Sequence, residues 1–258
     1  VEFSVPCRNN EKLKKIINKV NNHGRLNGLW TVANVNAIDR LAINDHGPVH
    51  SKIVANCALK IFRLISNTGV KSSVQIDHEL TKKDAEVVIV LAAVFHDIGH
   101  CIHRVHHEEF GIAIASTLIN DLLKDFYNGY QQGVMEGEIL HACYAHGTEL
   151  QTLTLEAGIV KIADALDMEH GRARIPFKEG ELTIHSVSAT AIEEVTIHKG
   201  AEKPVKIIID MSNSAGIFQL DNLFKPKLEN SGIQKYVEVT VEVGEKETEK
   251  KIIHDYQF

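Results

Sequence analysis

The 258-residue chain has no apolar run long enough to cross a bilayer: its longest, Ala85 to Phe95, already contains Glu86 and falls well short of the roughly 20 residues a spanning helix needs. A signal-peptide pattern is also missing and residue 1 is Val, so the expectation is a cytoplasmic protein trimmed at its start. Cys7, Cys57, Cys101 and Cys143 stand far apart with no C-x-x-C pair, which argues against a dense disulfide framework and suits reduced thiols. Blocks of like charge are lacking: 28 Lys and Arg are spread among 34 Asp and Glu, for a net charge of -6. That excludes the electrostatic footprint of a nonspecific nucleic-acid or acidic-membrane binder, and leaves room for a small anionic substrate where positive charge is local. No internal repeat or low-complexity tract is present.

What is present is ample apolar content, 44% of residues, in a length that suits one large domain or two smaller ones. Helical periodicity runs through the first two thirds. Residues 11–20 place Leu13, Ile16, Ile17 and Val20 on one face; 21–28 read as a loop and 32–43 as a second helix. A turn at 44–48 feeds a helix with Pro48 near its first position, ending at Asn67-Thr68-Gly69, on which His50 shares the face of Val54, Cys57, Ile61 and Ile65. Thr81 to Asp84 resembles a capping box and opens the apolar helix that closes in His96-Asp97. Further helices are expected at 106–126, 134–145 and 156–170. The pattern changes at Gly171 to Pro176. Beyond it, β-branched alternation predicts strands at 182–187, 195–198, 205–210, 236–243 and 250–254, with a helical interruption near 215–224. The fold class expected is mainly α: an all-helical bundle over 1–175, then a smaller α+β domain over 176–258.

Burying an imidazole and a carboxylate at the end of an oily helix is costly unless a partner compensates both, and a metal ion does so. His78, His100, His103, His106 and His107 all lie within about twenty residues of His96-Asp97. A hydrolytic metal site needs ligands from several elements and open positions for water and substrate. His50, then His96 and Asp97, then Asp164 supply them in chain order. Adjacent helical residues diverge by about 100°, so His96 and Asp97 share one ion only if other helices close the shell.

In that order and in those contexts, His50-Ser-Lys-Ile-Val54, His96-Asp-Ile-Gly99 and Lys161-Ile-Ala-Asp164, the chain resembles the HD-domain superfamily of metal-dependent phosphohydrolases over roughly residues 30–170. The resemblance implies His50, His96, Asp97 and Asp164 as primary ligands of a divalent cation (Mn, Fe, Co, Ni, Mg or Zn). It implies a second ion in some members, held by a His four residues before a Gly (His107, before Gly111) and by His146 or His141, with Asp97 bridging. In the superfamily's deoxynucleotide triphosphohydrolases a His at the position of His100 assists phosphate chemistry. The reaction implied is cleavage of a phosphoester or phosphoanhydride of a nucleotide or small phosphorylated metabolite by a metal-activated water, with His100 or His103 moving a proton. Lys52, Arg104, Arg172 and Arg174 are candidate phosphate holders by their nearness to the motifs.

Other readings stay open. His46 either reaches the site from the turn before His50 or braces that turn before Pro48. Asp167 either orients a ligand or pairs on the surface with Arg172 or Arg174. Cys101 reads as an inert thiol, and His103 and His106 as solvated residues. A di-iron oxygenase would use the same histidine-rich second set, and a ligand-binding sensor would use the α+β region as a regulatory or homodimer surface. Gly171 to Pro176 and Asn213 to Phe218 resemble a group of archaeal and bacterial HD proteins, which supports the two-part organisation.

Overall fold

The computed structural model describes residues 2–169, 188 and 190–244. The strands expected at 182–187 and 250–254, with Arg172 and Arg174, lie outside these residues. In order, the helices are α1 Glu11–Asn22, α2 Gly24–Asn34, α3 Pro48–Ser66, α4 Ser73–Asp77, α5 Lys82–Phe95, α6 His107–Leu123, α7 Gly129–Tyr144 and α8 Leu155–Ala165. Among the described residues no helix is long and apolar enough to cross a membrane.

Helix α5 is the axis of the bundle. Thr81 accepts from the Asp84 amide while Asp84 Oδ2 accepts from the Thr81 amide at 3.0 Å, which caps the helix start and is worth about 1 kcal/mol. From Asp84 to Phe95 every residue is buried, and α5 packs on α3, α7 and α8. Each Val, Ile or Leu so buried contributes roughly 1.5–3 kcal/mol. Glu86, the one carboxylate within the apolar run, is neutralised by Arg63 Nε at 2.8 Å and accepts from Asn10 Nδ2 at 2.9 Å. Helix α3 begins at Pro48, whose missing N–H costs nothing at that position, and buries His50, Val54, Ile61 and Ile65 as the periodicity predicts.

After α5 the chain tightens into a 3₁₀ turn, Ile98–Cys101, that meets the start of α6. The contact requires glycine: a Cβ at Gly99 would lie 1.9 Å from the His107 carbonyl oxygen and 2.7 Å from the Gly111 amide. This backbone approach brings His107 beside His96-Asp97.

The sheet follows the order β1 (Ile192–Lys199), β2 (Val205–Met211), β3 (Val237–Val243), with β1–β2 antiparallel and β2–β3 parallel. Val205, Ile207, Ile209 and Met211 alternate inward on β2. A parallel neighbour needs a crossover, and here it is a helical stretch over 214–229 ending in α9, Lys225–Glu229. The crossover docks on the helical part. A Cβ at Gly158 of α8 would lie 2.1 Å from the Ser231 carbonyl oxygen, and Thr152 Oγ1 donates to that oxygen at 2.7 Å.

Several boundaries differ from expectation. The stretch expected as a loop over 21–28 is helical except at His23: α1 runs on to Asn22, and the His23 ring accepts from the Leu26 amide and starts α2 despite two glycines, whose poor propensity is outweighed by burial of Leu26, Trp30 and Ala33. The helix expected over 32–43 is instead the end of α2 and a π-helical turn, Val35–Arg40. Helix α7 starts at Gly129 because Asn128 caps it, and α8 stops at Ala165, short of residue 170.

Candidate metal centre

Three helices deliver the central side chains: α3 carries His50, the end of α5 carries His96 and Asp97, and α8 carries Asp164. The proton on each imidazole is committed by its Nδ1. His50 Nδ1 donates to Asp167 Oδ2 at 2.5 Å, and His96 Nδ1 donates to the Ala93 carbonyl at 3.0 Å. Both Nε2 atoms are thereby left as lone pairs, 3.1 Å apart. They meet two carboxylates: His50 Nε2 is 3.3 Å from Asp97 Oδ2 and 3.2 Å from Asp164 Oδ1, and His96 Nε2 is 3.4 and 3.6 Å from the same two atoms.

Lone pairs and carboxylate oxygens facing one another repel unless a positive charge, a proton or a metal ion, lies between them, so the arrangement is compatible with a divalent cation. The separations fit a shared ion, since ligand atoms about 2.1 Å from a centre stand roughly 3.0–3.4 Å apart in octahedral or tetrahedral geometry. Protonation tells the same story. Burial alone would keep His96 neutral, but Asp97 and Asp164 overcome it and raise its pKa from the ordinary 6.5 to about 9. His50 is raised well above its ordinary value against the same burial, through Asp164, Asp167 and Asp97. Asp97 and Asp164 are driven well below the ordinary carboxylate range despite burial, Asp97 foremost by His96 and Asp164 foremost by the Lys227 ammonium.

The other oxygen of Asp97 faces a second donor set. Oδ1 lies 3.3 Å from His107 Nε2 and 3.6 Å from His146 Nε2, and those nitrogens are 3.4 Å apart. Again the Nδ1 protons are spent on carbonyls, of Arg104 for His107 and of Cys143 for His146. Asp97, the residue expected to bridge, turns one oxygen to each of two buried groups of acceptors. Of the two histidines expected to serve here, the structure brings His146 to the cluster. His141 stands away from it, accepting from the Leu153 amide at 3.0 Å.

His100 joins the second set, its Nε2 3.7 Å from Asp97 Oδ1. Burial holds it neutral, with a pKa pushed down to about 2, and Arg104 Nη1 donates to Nε2 at 3.2 Å. Nε2 thus accepts from Arg104, while the buried Nδ1 has no hydrogen-bond partner among the described residues. His46, read as reaching the site or bracing its turn, does the former: its Nδ1 donates to Asp97 Oδ2 at 2.7 Å and its ring stacks on His100 at 4.2 Å. Asp167 points inward to His50. His103 stays outside, bonded to the Val105 amide.

Above these side chains opens a cavity of about 390 Å³, lined also by Ile43, Arg104, Thr148, Met168, Leu223 and Lys227. Arg104 is where a phosphate holder was expected. Lys52 is not on the cavity wall; two residues after His50 it points around α3 toward the N-terminal segment, its Nζ 3.4 Å from the Glu2 carbonyl. Lys227 was not foreseen. It reaches Asp164 Oδ2 at 2.5 Å from a part of the chain with no motif to mark it. All four cysteines are free, and burial raises Cys101, in keeping with an inert thiol.

A helical bundle that gathers His, His-Asp and Asp from three helices around one point, with a second histidine pair beside the same Asp97, fits a class of metal-binding helical domains. The HD domain family model matches residues 49–169. The chain is also 38% identical over 242 residues to an uncharacterized protein of Methanocaldococcus jannaschii, an alignment covering 94% of this chain and 92% of that protein. The chain belongs to the HD-domain superfamily of metal-dependent phosphohydrolases.

Proposed function

We propose that the protein is a metal-dependent phosphohydrolase acting on a phosphoester or phosphoanhydride of a nucleotide or small phosphorylated metabolite. The observation that carries this reading is the division of Asp97 between two buried donor sets at the floor of a cavity that also presents Arg104 and Lys227. His50, His96, Asp97 and Asp164 would hold one divalent cation; Asp97, His107 and His146, with His100 beside them, would hold a second. Bound there, such an ion supplies Lewis acidity to a phosphoryl oxygen and to an attacking water. A donor set rich in imidazole and without thiolates suits Fe, Co, Ni or Zn, and its carboxylates also admit Mn.

The chain's own residues do the rest. Asp167, Ala93, Arg104 and Cys143 keep the imidazole lone pairs pointed inward by accepting their Nδ1 protons. Arg104 places a fixed positive charge beside the second donor set, suited to a phosphoryl oxygen. The cavity is at the small end of ligand pockets, which suits a substrate of the size of a sugar phosphate or mononucleotide.

The test is hydrolysis by the reconstituted protein across a panel of phosphomonoesters and nucleoside phosphates, with His96→Ala as control. Activity that depends on added metal and vanishes in the variant supports the reading; no cleavage anywhere on the panel contradicts it. The histidine-rich second set is also what a di-iron oxygenase would use. Oxygen consumption and an iron spectrum in anaerobically purified protein, without phosphatase activity, would favour that alternative.

A further inference from the structure

Lys227 lies on α9, in the crossover between β2 and β3, yet its ammonium pairs with a ligand of the metal centre. The pairing is side-specific. Asp164 turns Oδ1 toward His50 and His96 and gives Oδ2 to Lys227. Lys227 therefore stands next to the cation position rather than in it, and the two occupancies are compatible. Its side chain is 12% exposed and lines the cavity. An ammonium has three donors, and Asp164 takes one.

The position is held from several sides. Asn230 Nδ2 donates to the Thr148 carbonyl at 3.1 Å, Thr152 binds the Ser231 carbonyl, and Gly158 admits that carbonyl against α8. Thr148 is itself on the cavity wall. Arg104 flanks the centre beside His100 and the second donor set, whereas Lys227 flanks it beside Asp164 and the first. A phosphoryl group seated over Asp97 thus meets a fixed cation at each end.

We propose that Lys227 is a substrate-binding residue that holds a phosphoryl oxygen over the centre, so that the C-terminal region completes the active site. The inference rests on the phosphohydrolase reading, and it narrows the substrate to one that presents a terminal phosphate to the cavity. The competing role for Lys227 is a structural counter-ion that only neutralises Asp164.

The experiment compares wild type, Lys227→Met and Lys227→Arg, each loaded with manganese. Metal content, binding of inorganic phosphate by calorimetry, and KM and kcat on the best substrate of the panel are measured. The proposal expects Lys227→Met to keep its metal, to bind phosphate roughly 10- to 100-fold more weakly as expected for a lost charged hydrogen bond, and to show the loss mainly in KM, with Lys227→Arg recovering most of it. Unchanged phosphate affinity in Lys227→Met, or loss of metal with phosphate affinity per metal-loaded molecule intact, would overturn it. Should Lys227→Met fail to fold, the wild type still decides: phosphate should protect Lys227 from amine acylation read by mass spectrometry, and equal labelling with and without phosphate would contradict the proposal. Because phosphate binding is read independently of turnover, a protein that binds phosphate through Lys227 and cleaves nothing would sink the hydrolase reading alone.

Discussion

Asp167 holds His50 by its Nδ1 at 2.5 Å, and that single bond decides which nitrogen of His50 faces the centre. With the proton on Nδ1, the Nε2 lone pair is aimed at His96, Asp97 and Asp164. Replacing Asp167 by Asn should leave the fold intact and weaken metal binding roughly 10- to 100-fold, as loss of such an orienting partner does elsewhere. Competition with a chelator on the purified variant measures it. Undiminished affinity would mean that the surrounding packing, and not Asp167, sets the tautomer.

The two donor sets should separate by mutation. His107→Ala touches only the set around Asp97 Oδ1, and Asp164→Ala only the set around Oδ2. Each variant is expected to retain one of two ions per chain, whereas Asp97→Ala should lose both. Elemental analysis after reconstitution and desalting provides the count.

Proton competition gives a pH dependence with a defined sign. In the metal-free protein His96 titrates at about 9 rather than the ordinary 6.5. A raised imidazole stabilises the fold fully below about pH 6.5 and loses that contribution as pH climbs through about 9. Asp97 and Asp164 are shifted the other way, so their contribution is present at neutral pH and is lost on acidification below the ordinary carboxylate range. Thermal melts of metal-free protein should therefore fall off on both sides of neutrality. A metal must displace the His96 proton, so its affinity should rise between about pH 6.5 and 9 with release of protons into the buffer. A flat affinity profile over that window would contradict the assignment.

Gly99 offers a structural test away from the ligands. A methyl group there would collide with the His107 carbonyl at 1.9 Å, forcing α6 away from the 3₁₀ turn. Gly99→Ala should cost roughly 1–3 kcal/mol and lower occupancy of the second ion more than of the first, because it displaces His107 while sparing His50 and Asp164. Denaturant melts and metal counts on one preparation check both.

The helical bundle and the His50 and His96-Asp97 side chains of the cluster were legible because polar residues interrupt strongly periodic apolar runs. His50 falls on the buried face of α3, and His96-Asp97 ends a run whose every member is inside. His107 was reached only through the resemblance, which implies a His four residues before a Gly; in the structure the close packing of Gly99 on the α6 start is what brings it beside Asp97. The start of α2 was not, since its glycines mask a helix made by burial of Trp30 and its neighbours. Nearness in sequence misled for Lys52, which lies about 200° around the helix from His50 and faces away. Lys227 had no local signal at all. Its role depends on the crossover docking against α8, a tertiary contact spanning 63 residues from Asp164 that no spacing rule encodes.

The most direct measurement is anomalous diffraction from a crystal of the manganese-loaded protein. One peak is expected bound by His50, His96, Asp97 Oδ2 and Asp164 Oδ1, and a second bound by Asp97 Oδ1, His107 and His146. An ordered cluster with these side chains in place and no anomalous peak among them would contradict that expectation.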